Sequence, residues 1–165
     1  MAYRIGHGYD IHRLKKGRRL VLGGVAIPHG KGLDGHSDAD CLLHAVADAV
    51  LGACGAGDIG GFFPPSDPQW KGLPSALIVK RAAAVARGRG FAVVNVDATI
   101  YAEAPKLAPF RGKIRRGLAQ ALGLPARDVN VKLKTMERLD AVGAGTAIAA
   151  EAVALLAKRR SARHN

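Results

Sequence analysis

The chain has 165 residues, 48% apolar and only 5% aromatic, and its 25 Lys and Arg against 13 Asp and Glu give a formal charge of +12. That length suits one globular domain with its own core, and a mean hydropathy near zero argues against both disorder and membrane insertion. The N-terminus enters patterned sequence without an apolar signal core, and no apolar run is long enough to span a bilayer.

Tyr3 to Ile11 reads as a first strand, with Tyr3, Ile5, His7, Tyr9 and Ile11 on one face and Arg4, Gly6, Gly8, Asp10 and His12 on the other. The glycines are expected to clear space beside the Asp10–His12 pair. Arg19 to Leu22 and Val25 to Ile27, joined by Gly23-Gly24, predict a hairpin. Pro28 to Gly35 reads as a Gly-rich loop. Ser37-Asp38 offers an N-cap for a helix over Cys41 to Cys54, with Asp40 in its first turn. Gly55 to Lys71 is a loop of a length typical of functional segments. Ser75 is expected to cap a helix from Ala76 to Arg89 that stops at Gly88 and Gly90.

Further strands are expected over Phe91 to Tyr101 and Val129 to Lys134, with a helix over Leu107 to Leu122 around Pro109. Thr146 to Lys158 has helical propensity, yet its apolar run suits a buried strand equally well. Strands alternating with helices, plus an early hairpin, predict an α/β (α+β) sandwich: a mixed sheet with helices packed on one face. One domain over 1–158 is expected, followed by a disordered basic tail at 159–165. Cys41 and Cys54 read as small buried residues in a reducing compartment, so a cytoplasmic protein is expected.

Asp10 and His12 share one strand face, and a third ligand, His44, can arrive from the helix. Three protein ligands with a free fourth position describe a catalytic zinc site rather than a structural one. Asp40, His44 and Asp48 recur every four residues, so Asp48 or Asp40 could hold the second nitrogen of His44. His36 and Ser37 lie at a helix N-terminus, which attracts phosphate. Ala102 to Lys106 and Lys134 to Glu137 follow strand ends and supply cations, hydroxyls and a hard-metal ligand. The charge suits an anionic partner, but no basic run is interleaved with aromatics as a single-strand platform requires. No nucleic acid and no membrane is therefore expected as a partner.

Gly6-His7-Gly8-Tyr9-Asp10-Ile11-His12 and Gly35-His36-Ser37-Asp38-Ala39-Asp40 resemble signatures of the 2-C-methyl-D-erythritol 2,4-cyclodiphosphate synthases. So do Leu43-His44-Ala45, Gly57-Asp58-Ile59-Gly60, Asp67-Pro68, Ala104-Pro105-Lys106 and Asn130-Val131-Lys132, in the same order. The resemblance implies a homotrimer with active sites between subunits and a final strand rather than a helix. It implies a cytidine diphosphate substrate, closed to a cyclic diphosphate with loss of CMP. It makes Asp10, His12 and His44 ligands of one zinc per subunit, and Glu137 the ligand of magnesium or manganese. His36 and Thr135 would stabilise the transition state. Ser37 would meet the 2-phosphate, and Asp58, Ile59, Gly60, Phe63 and Asp67 the methylerythritol. Ala102, Pro105, Lys106, Leu107 and Ala108 would form the cytosine pocket, with Lys134 near the α-phosphate.

Two departures from the family pattern stand out. Asp140 to Ala147 lacks the aromatic, Arg and Glu that line the family's axial channel, so no isoprenoid-like diphosphate is expected there. Pro65 replaces a common acidic residue in the substrate loop. Two competing readings use the same features: a zinc hydrolase of phosphate esters on the triad, and a nucleic-acid-binding module on the charge alone.

Overall fold

The computed structural model describes residues 2–64 and 66–159. Of the expected basic tail at 159–165, only Arg159 falls within them, and Pro65 lies outside them.

β1 (Tyr3–Lys16) is longer than expected and is followed by the hairpin β2 (Leu20–Leu22) and β3 (Val25–Ile27). The segment read as a Gly-rich loop contains β4 (Lys31–Leu33), which pairs antiparallel with the far end of β1, Leu14 opposite Leu33. Helix α1 (Cys41–Ala53) follows, then the single turn α2 (Ile59–Phe62) and α3 (Ser75–Gly88). β5 (Phe91–Tyr101), α4 (Arg111–Leu122), β6 (Val129–Lys134), the short α5 (Asp140–Gly143) and β7 (Ala147–Lys158) complete the order. Pro109 sits in a 3-10 turn over Ala108–Phe110, so the predicted helix breaks there and α4 begins at Arg111.

The five-stranded sheet runs β4-β1-β7-β5-β6, antiparallel except for the parallel β5–β6 pair, with β2–β3 as a separate ribbon. α1, α3 and α4 pack together, α1 against β1, β7 and β5. The expectation of a mixed sheet covered by helices, with an early hairpin, holds. α1 is buried on all sides except at Asp48 and Gly52, as an almost wholly apolar helix must be.

Small residues make that packing possible. A Cβ on Gly6 would lie 1.9 Å from the Ala49 carbonyl oxygen, and one on Gly8 2.0 Å from that of Ala45. These glycines therefore seat the backbone of α1 on β1, rather than leaving room for a ligand as expected. β7 contributes Ala150, Ala152 and Ala154 to the same buried face. Its strand pairing on both edges overrides its helical propensity.

On the other face α5 covers only the end of β7, where Val142 packs on Ala147 and Ala149, and the rest of that face is open. Ile5 is 73% exposed, Tyr3 57% and Tyr9 53%, and Ile11 and Val153 are also open. No helix among the described residues is long and apolar enough to cross a membrane.

Candidate active site

Asp10 and His12 stand two residues apart on β1, and His44 reaches them from the α1 helix seated above Gly6 and Gly8. Oδ2 of Asp10 lies 2.9 Å from Nε2 of His12 and 2.9 Å from Nδ1 of His44, and the two nitrogens are 3.2 Å apart. Tetrahedral ligands at zinc–nitrogen distances near 2.0–2.1 Å stand about 3.3 Å from one another, so this spacing fits one small divalent cation. The donor set, two imidazoles and a carboxylate, suits zinc.

The outward nitrogens are also held. Nδ1 of His12 donates to the Asp34 carbonyl at 2.7 Å, which leaves its Nε2 to face the other ligands. Nε2 of His44 lies 2.9 Å from the Ser75 hydroxyl and 3.1 Å from that of Ser37. Burial alone would raise the Asp10 carboxyl, but hydrogen bonds from His12 and His44 outweigh it and hold the group well below the usual carboxylate range. For His12 burial works downward, and the hydrogen bond and charge of Asp10 win, raising it above the ordinary imidazole value.

Neither carboxylate expected behind His44 is there. Asp40 is the N-cap of α1: its carboxylate accepts from Leu43 N at 3.1 Å and from Gly24 N at 2.7 Å, tying the hairpin turn to the helix. Asp48 accepts from Ile59 N at 2.8 Å and so anchors α2. Ser75 takes the place of both. It is the first residue of α3, behind the cap position Pro74, rather than the cap itself.

A cavity of about 300 Å³ opens on the triad, with Gly35, His36 and Ser37 on its wall. Ile59, Gly60, Phe63 and Asp67 also line it, as do Trp70, Leu73 and Ile78, which the sequence reading passed over. Phe63 and Trp70 meet edge to face at 5.1 Å, and Asp67 caps the turn that carries Trp70. Asp58 does not line the cavity; its carboxylate accepts from Gly61 N at 3.2 Å and caps α2. Arg18, also unexpected, donates to the Ser37 carbonyl at 2.9 Å and brings a cation near His12.

A second cavity, about 340 Å³, lies where the parallel strands β5 and β6 end. Ala102, Pro105, Lys106, Leu107 and Ala108 line it together with Lys134 and Thr135. Ala102 N donates to the Lys134 carbonyl at 2.9 Å, and the Ala104–Pro105 bond is cis. Thr135 donates to Glu137 at 2.7 Å, and Glu137 stands in the left-handed region at φ 50°. Among the described residues none lines both cavities. The strand ends and the triad, which could have shared one cleft, occupy two within a single chain. Near Asp140, a smaller hollow holds Tyr9, Tyr101 and Glu151, and the Tyr101 hydroxyl donates to Glu151 at 2.6 Å.

A family model described as the YgbB family matches residues 3–157. A 2-C-methyl-D-erythritol 2,4-cyclodiphosphate synthase of Desulfosudis oleivorans is 58% identical over 153 residues, 93% of this chain and 91% of that one. The bifunctional IspDF of Campylobacter jejuni superposes with a TM-score of 0.91 at 36% identity, over 95% of this chain and 42% of that longer one. The CDP complex of Plasmodium falciparum IspF superposes with a TM-score of 0.83 at 33% identity, over 96% of this chain and 98% of that one.

Proposed function

The chain belongs to the YgbB family of 2-C-methyl-D-erythritol 2,4-cyclodiphosphate synthases, and we propose from that premise that its two cavities are the halves of one active site, joined between neighbouring subunits of a homotrimer. The enzyme is a phosphorus–oxygen lyase of non-mevalonate isoprenoid biosynthesis. It converts 4-diphosphocytidyl-2-C-methyl-D-erythritol 2-phosphate to 2-C-methyl-D-erythritol 2,4-cyclodiphosphate and CMP. The bond formed joins the substrate's own 2-phosphate oxygen to the β-phosphorus, and the bond broken releases CMP. Such a transfer needs positioning and charge neutralisation rather than a protein nucleophile.

Asp10, His12 and His44 would hold zinc, which supplies a Lewis acid at the β-phosphate, and Glu137 would hold magnesium or manganese on the diphosphate. Ser37 receives the 2-phosphate, with Arg18 fixing its carbonyl and adding a permanent positive charge behind it. His36 and Thr135 stabilise charge on the transferring phosphoryl group. Asp58, Ile59, Gly60, Phe63 and Asp67 surround the methylerythritol, Asp58 by holding α2 in shape. Ala102, Pro105, Lys106, Leu107 and Ala108 enclose cytosine, and Lys134 faces the α-phosphate. Soluble expression in a reducing cytoplasm suits the two free, buried cysteines.

The observation that carries the reading is the triad, three donor atoms within 3.2 Å of one another from two distant parts of the chain. The trimer is supported by the separation of the two cavities and by the apolar outer face of β1 and β7. Mixing tests it. His12→Ala and Thr135→Ala proteins, each inactive, are unfolded together and refolded. Sites between subunits then recover about a quarter of wild-type activity, because that fraction pairs two intact halves. No recovery above the separate variants contradicts the shared site.

A further inference from the structure

We infer that Ser75 and Asp38 are positioning residues that fix the tautomer of His44, leaving Ser37 free to turn to the substrate. The inference rests on the metal role of the triad given above. Ser75 is fully buried, and its hydroxyl reaches Nε2 of His44 at 2.9 Å, the Asp38 carboxylate and, more distantly, the Ser37 hydroxyl at 3.4 Å. A carboxylate only accepts, so the hydroxyl proton points to Asp38, and an oxygen lone pair faces the imidazole. Nε2 of His44 therefore carries a hydrogen, so in the neutral ring that takes a metal the lone pair of Nδ1 points at Asp10 and His12; without the metal, Nδ1 can carry a second hydrogen and donate it to Asp10. His12 is fixed the opposite way round, through Nδ1–H and the Asp34 carbonyl, so both lone pairs converge. Asp38 is itself held, accepting from Ser75 N at 3.2 Å and Asp40 N at 3.3 Å. Ser37 also stands near Nε2, at 3.1 Å, but it lines the cavity and accepts from Ala39 N. With Ser75 sealed behind the ring, Ser37 can rotate toward a phosphate without releasing His44.

The test compares Ser75→Ala with Ser37→Ala by chelator competition for zinc. Ser75→Ala is expected to weaken zinc binding roughly 10- to 100-fold, as loss of an outer partner of a ligating imidazole does. Ser37→Ala is expected to stay within about threefold of wild type in zinc affinity, its damage falling on KM for the substrate. Equal zinc affinity in Ser75→Ala and wild type overturns the inference. Long-range proton–nitrogen NMR of metal-free wild type needs no variant to fold. A hydrogen on Nε2 of His44, alone or with a second on Nδ1 facing Asp10, supports the assignment, and an Nε2 without one overturns it. A wild type that takes up no zinc would instead remove the metal reading, while the NMR result still decides the tautomer.

Discussion

Asp48 accepts the backbone N–H of Ile59 at 2.8 Å, although it stands one helical turn from His44. The bond ties α2, which carries Ile59 and Gly60 into the wall of the metal cavity, to the buried helix α1. Asp48 thus shapes the substrate side of the cleft rather than the metal.

Replacing Asp48 by Ala should therefore leave zinc affinity near wild type and raise KM about tenfold, the loss of one charge-assisted hydrogen bond. Asp48→Asn keeps an acceptor and should restore most of the KM. A tenfold loss of zinc affinity in Asp48→Ala would instead place the carboxylate behind His44.

Gly6→Ala and Gly8→Ala each drive a methyl into the backbone of α1, where carbonyl oxygens stand 1.9 and 2.0 Å from the new atom. Backbone cannot yield as a flexible side chain can, so either change should cost at least about 3 kcal/mol. Chemical denaturation of the metal-free protein reads this as a lower midpoint, and zinc uptake should fall with it because His44 loses its seat.

Burial pushes the Asp40 carboxyl up to about 6, against hydrogen bonds from Gly24 and Leu43 that favour its ionised form. A folded-state pKa above the unfolded value means that the stabilising contribution is full at low pH and is lost as pH rises through about 6. The stability gap between wild type and Asp40→Asn should accordingly be wider at pH 5 than at pH 8, by about 1 kcal/mol. Urea titrations at the two pH values measure it, and a gap that narrows on acidification would contradict the assignment.

The raised His12 sets the sign of the metal's pH dependence. Its ion pair with Asp10 supports the metal-free protein below the unfolded imidazole value and fades as pH rises through the folded one. Zinc requires the neutral ring, so zinc affinity should rise with pH across that window, with proton release on binding. Calorimetry in two buffers of different ionisation enthalpy counts the protons; no release near neutral pH would contradict the pairing.

Much of this was legible in the sequence because it depends on short periodicities. The two-residue step put Asp10 and His12 on one face, and the apolar stretch from Cys41 announced a buried helix carrying His44. Long-range partners were not legible. Ser75 meets His44 across 31 positions, Arg18 meets Ser37 across 19, and nothing local marks either contact. β4 was hidden because three residues around a glycine make a strand only by pairing with Leu14 to Lys16. β7 was ambiguous for the converse reason: its alanines favour a helix until two neighbouring strands claim their backbone. Family resemblance, not propensity, pointed to the strand.

The most direct measurement is CMP release from 4-diphosphocytidyl-2-C-methyl-D-erythritol 2-phosphate by protein stripped with a chelator and then reloaded. Stripping should abolish release in the presence of magnesium, and about one zinc per subunit should restore it in wild type but not in His44→Ala. Undiminished CMP release from metal-free protein would contradict the account.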